Sequence, residues 1–116
     1  MEITYELGEI AVERQLEALA GDGTRRPVTI RFGTPRLDQL SVNGDWCCPH
    51  QILGLGDQEV GAAFGVDSLQ ALLLSVYKVR LKLEERALAS SVRLDWLGWP
   101  DLGLTVGPGP HPALDV

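Results

Sequence analysis

From Leu69 to Leu83 apolar side chains recur every three or four positions, at Leu69, Leu72, Val76, Val79 and Leu83, and Gln70, Ser75, Lys78, Lys82 and Glu85 fall out of phase with them. A 3.6-residue period puts the first set on one face of a helix and the second on the opposite face, so the apolar set is expected to pack on a sheet. Leu73, Leu74, Tyr77 and Leu81 widen the apolar arc. The helix is therefore expected either to be enclosed by sheet and C-terminal segment together or to meet another subunit, as a homodimer through this helix. Asp67 is the expected N-cap, and Gln70, three residues on, stands where a capping-box side chain reaches back to the cap's own N–H. Arg80 and Glu84 are spaced as an i,i+4 surface pair.

A period of two marks the strands. Ile10, Val12, Arg14 and Leu16 alternate with Glu9, Ala11, Glu13 and Gln15, although Ile10, Leu16, Leu19 and Ala20 also tolerate a helix; a strand is the expectation. Gly21-Asp22-Gly23-Thr24 reads as a hairpin turn, and Val28, Ile30 and Phe32 then alternate with Thr29 and Arg31. Residues 34–45 form a connection with a second turn at Asn43-Gly44. Trp46 to Gly56 is a third strand, which Pro49 is expected to confine to an edge or to mark with a bulge. Residues 59–64 form a short fourth strand and Val92 to Leu97 a last one; Trp99 and Leu102 are then expected to cover the core. Short connections between neighbouring strands predict an antiparallel meander. The fold class is thus α+β, a meander of four to five strands with one long helix packed on one face. Residues 1–106 are expected to form one domain, with residues 1–8 extended or mobile and residues 107–116 a flexible Gly/Pro-rich tail.

Charge narrows the partners. The 116-residue chain carries 16 acidic and 10 basic side chains, a net charge of -6, which disfavours nucleic acid and anionic membrane surfaces. Arg25, Arg26, Arg31 and Arg36 are a local basic stretch read as solvated strand ends. The acidic N-terminus lacks a secretory signal and no apolar run is long enough to span a bilayer, so a cytoplasmic location is expected. Adjacent Cys47 and Cys48 point to opposite faces of a strand, which disfavours a disulfide and fits a reducing compartment.

Candidate chemistry is sparse. Gly65-x-Asp67-Ser68-Leu69 resembles the serine attachment motif of acyl and peptidyl carrier proteins, which implies a phosphopantetheine arm on Ser68; a helix N-terminus favours the phosphodiester. Carrier proteins are helical bundles, and the strand-like stretch before Ser68 argues against one. Cys47-Cys48-Pro49-His50 lacks the spacing of a zinc knuckle or a thiol oxidoreductase, so no metal site is expected. Cys48 or His50 acting with Asp67 is the enzymatic alternative. Trp46, His50, Trp96 and Trp99 are candidate binding-surface residues. The leading expectation is a small non-enzymatic domain without a cofactor, accessory or immunity-like, that binds a protein partner.

A wider pattern runs through the chain: Trp46-x-Cys48-Pro49, Ile52-x-Gly54-Leu55-Gly56, Gly65-Val66-Asp67-Ser68-Leu69-Gln70-Ala71-Leu72, Leu94-x-Trp96-Leu97-Gly98 and Asp101-Leu102-Gly103. It resembles a family of short bacterial proteins known only as a domain of unknown function, across roughly residues 9 to 104. That resemblance implies a small cytoplasmic α+β domain and supplies no activity or site residue.

Overall fold

The computed structural model describes residues 4–105. Its elements are β1 (Ile10–Ala20), β2 (Arg25–Gly33), β3 (Arg36–Leu37), β4 (Trp46–Leu53), β5 (Gly61–Gly65), α1 (Ser68–Ala89) and β6 (Val92–Asp95). All strand pairings are antiparallel, with neighbours in the order β3-β4-β2-β1-β6 and β5 also on β4. The architecture is α+β, an antiparallel sheet with one helix packed against it.

The β1–β2 hairpin closes as its Asp-Gly signal requires. Gly23 takes φ 86°, and Asp22 accepts from the Thr24 N–H at 2.9 Å. Leu16 opposes Val28 and Arg14 opposes Ile30, so one face of the hairpin enters the core. The opposite face is polar: Arg31 bonds Glu13 at 3.2 Å, Thr29 bonds Gln15 at 2.9 Å, and Arg25 bonds Glu17 at 2.6 Å. Three of the four arginines of the basic stretch are thereby accounted for or anchored, since Arg36 donates to the Glu6 carbonyl at 2.8 Å. That bond, and the edge-on contact of Tyr5 with Phe64 at 5.7 Å, hold residues 5–6 against the sheet. The tail expected at residues 107–116 lies outside the described residues.

Strand β4 is interior, which corrects the expectation from Pro49. β3 and β5 both pair residues 46–47, and β2 and β5 both pair His50. β5 therefore holds one edge of β4, while β2 and β3 share the other. The neighbour is interrupted instead of the strand: the rungs to β2 end at His50 and those to β3 begin at Cys47, and Pro49 falls in the gap. A proline without an N–H is tolerated where no rung is needed.

Helix α1 starts as expected at Asp67, whose carboxylate accepts from the Gln70 N–H at 2.8 Å. Gln70 does reach back, but to the Val66 N–H at 2.8 Å, one residue before the cap. Below the first turn the helix is rotated from the sequence expectation. Its buried row is Ala71, Ser75, Val79 and Leu83, while Leu72, Val76 and Ala87 lean on the core from one side. Leu69, expected inside, is exposed, and Ser75, expected outside, is fully buried. Small side chains at Ala71 and Ser75 let the helix settle closely on β4 and β5, its main contacts, and Ser75 finds polar partners there.

This offset leaves the β1 side of the sheet thinly covered. β6 pairs only Glu17–Ala20 of β1, and the segment Leu102–Leu104 packs over the rest of the core. Arg14 fixes that strap: its guanidinium donates to the Leu102 and Gly103 carbonyls, each at 2.9 Å, and lies 3.8 Å from the centre of the Trp96 ring. Trp96 and Trp99 pair backbone to backbone around a two-residue turn in which Leu97 and Gly98 have φ 53° and 81°. Trp99 is thereby carried outward, 52% exposed, and Leu102 alone of the expected pair covers the core.

Candidate functional site

Alternation along β4 points Cys48, His50 and Ile52 toward α1 and Cys47 away from it. His50 meets two helix residues absent from every sequence motif. Its Nδ1 lies 2.7 Å from Ser75 Oγ, and its Nε2 lies 3.0 Å from Lys82 Nζ. The Ser75 hydroxyl donates in turn to the Cys48 carbonyl at 3.0 Å. An ammonium has no lone pair, so Lys82 donates to Nε2, the proton sits on Nδ1, and Ser75 accepts it. Every member is then satisfied. Gly61 of β5 makes room for the contact, because a Cβ there would stand 2.5 Å from His50 Nε2 and 2.6 Å from Lys82 Nζ.

The electrostatics match that geometry. Burial, and then the charges of Lys82, Lys78 and Arg86, hold the His50 pKa down at about 3. Burial, with Arg86 and Lys78, also lowers the Lys82 pKa. Burial raises the Cys48 thiol pKa, and its Sγ donates to the Gly33 carbonyl at 3.4 Å. A neutral imidazole engaged at both nitrogens and a protonated, buried thiol are poor catalysts. The arrangement works as a polar clasp between helix and sheet.

Asp67 is not part of it. Asp67 and Ser68 are exposed at the helix start, and Ser75 lies two turns further along, about 12 Å at 1.5 Å per residue. Cys48 and His50 therefore meet Ser75 where the enzymatic alternative placed Asp67. Ser68 follows strand β5 directly, so the helical bundle implied by the carrier motif is not the architecture. The aromatic candidates are also separated: Trp46 begins β4 and Trp96 follows β6, with β2 and β1 between.

The second feature is apolar and open. Between α1 and β1 runs a groove of about 470 Å³ lined by Val12, Phe32, Leu72, Leu73, Tyr77 and Leu104 among others. A second groove, of about 510 Å³, continues it past Arg80 and Leu104 toward Val92 and Pro100. Along the groove's outer lip Leu69, Leu73, Tyr77 and Leu81 form one i,i+4 ridge on α1, exposed by 61, 58, 49 and 43%. Arg80 lies over the Tyr77 ring at 5.1 Å. Among the described residues it makes no ion pair with Glu84, correcting the surface-pair expectation; the flat aromatic beside it offers its guanidinium a stacking partner instead.

Among the described residues no cluster of three or more His, Cys, Asp or Glu could hold a metal ion, and no helix is long and apolar enough to cross a membrane. The model of a family described as "Domain of unknown function (DUF6968)" matches residues 12–106. No curated protein and no solved structure matches the chain.

Proposed function

The chain belongs to the DUF6968 family, and we propose that it is a small non-enzymatic protein-interaction domain whose contact face is the outer ridge of α1 with the adjoining groove. The observation that carries this reading is the ridge, four large apolar side chains on consecutive turns left in solvent beside an apolar cleft. Contiguous apolar surface of this kind marks contact sites in folded proteins. Among the described residues, the closed His50–Ser75–Lys82 clasp supports a structural role for the titratable cluster that most resembles chemistry. Buried, unbridged Cys47 and Cys48 suit a reducing compartment, which supports a cytoplasmic location. A net charge of -6 suits a partner that is neither nucleic acid nor an anionic membrane.

Site-specific photo-crosslinking in cells tests the reading. A photoreactive residue at position 73 should give crosslinks to protein, and one at Gln15, on the polar outer face of the sheet, should not. Absence of crosslinks from position 73 would overturn it.

A further inference from the structure

We infer that the α1 ridge and the lip of the groove pair with the same surface of a second copy of this chain, an inference that rests on the interaction-domain reading and names its partner. Leu69, Leu73, Tyr77 and Leu81 form the type of i±4 ridge that interdigitates in the commonest class of helix packing. No charged side chain interrupts it. Its margins carry both signs, Arg80 with Glu84 on one side and Lys78 with Glu85 on the other. A two-fold apposition, in which each margin meets its own copy, does not set a single sign against itself.

Area favours the same occupant. From their fractional exposures, the ridge with Leu74 and Val12 leaves about 550 Å² open on each copy, so a symmetric pair that covered all of it would bury roughly 1,100 Å² against the about 1,000 Å² expected of a specific interface. That places the pair at the weak end of specific association, dependent on concentration. Val12 joins the contact because β6 stops at Glu17 of β1, leaving the start of β1 open beside the ridge.

Sedimentation equilibrium on the full chain is the test. The expected mass is twice the 12.6 kDa of one chain at high concentration, falling toward a single chain on dilution. Leu73→Glu should stay at the single-chain mass at every concentration with the wild-type circular dichroism spectrum. Should that variant fail to fold, the milder Leu73→Ala/Tyr77→Ala pair decides, with association weakened at least tenfold; Gln15→Glu should associate like the wild type. A wild-type chain at single-chain mass throughout, or a dimer indifferent to the ridge substitutions, would overturn the inference. If the wild type is monomeric while position 73 crosslinks a different protein in cells, the second-copy inference falls and the interaction-domain reading stands.

Discussion

Ser75→Ala is the substitution for which sequence and structure disagree most. On the sequence pattern Ser75 is a solvent-facing helix residue, and its replacement by alanine should be neutral or slightly stabilising. In the structure its hydroxyl accepts from His50 Nδ1 at 2.7 Å and donates to the Cys48 carbonyl at 3.0 Å, fully buried. Alanine removes the oxygen and almost no volume, so the loss falls on the partners. An orphaned buried polar group costs about 1–3 kcal/mol. The Cys48 carbonyl keeps a second lone pair, so the His50 N–H dominates. Rotating the imidazole brings no relief, because Nε2 is held by Lys82. Alanine's better helix propensity returns up to about 0.5 kcal/mol. The net loss should be about 0.5–2.5 kcal/mol, read as a lower urea midpoint at unchanged m in equilibrium unfolding. A loss below about 0.5 kcal/mol would refute the closed clasp, since it would mean that water already reaches these groups.

Other consequences follow from the same geometry. His50 is held at a pKa of about 3, so between that value and 6.5 the unfolded chain binds the extra proton. Its contribution is complete above pH 6.5 and is lost as the pH falls, on the order of 3 kcal/mol by pH 4; an imidazole titrating near 6.5 in NMR spectra of the folded chain would contradict this. Asp67→Ala should cost about 0.5–2 kcal/mol as loss of the cap, while Ser68→Ala should be nearly silent in the same urea experiment; the reverse order would return attention to Ser68. Gly61→Ala should cost about 1–3 kcal/mol as an overpacked contact and should move the His50 ring resonances, because its new methyl would meet both His50 Nε2 and Lys82 Nζ.

The two periodicities made the elements legible. Alternation located β1, β2 and β6, Asp22-Gly23 located the hairpin, and Asp67 located the start of α1. The helix's rotation was not legible, because it is decided by a partner 25 residues away: Ser75 is polar and reads as exposed until His50 is known to face it. The available signal was the second row of the helix, Ala71, Ser75, Val79 and Leu83, whose two small members permit close approach to a sheet. Pro49 misled for a similar reason. A missing donor excludes a rung, and the interruption between β2 and β3 supplied a place without one. Arg80 illustrates local competition, since Tyr77 offered its guanidinium an aromatic face beside the groove. The ridge was visible in sequence as the excess width of the apolar arc, but which of its residues stayed outside depended on that same rotation.

Self-pairing through the α1 contact face is the central claim, and comparing amide NMR spectra of the full chain at high and low concentration tests it most directly. Shifts confined to Leu69, Leu73, Tyr77, Leu81 and the groove at Val12, with Gln15, Thr29 and Gln51 unmoved, are the predicted result. Spectra unchanged by dilution, or shifts centred on the polar outer face of the sheet, would contradict the account of how this chain associates.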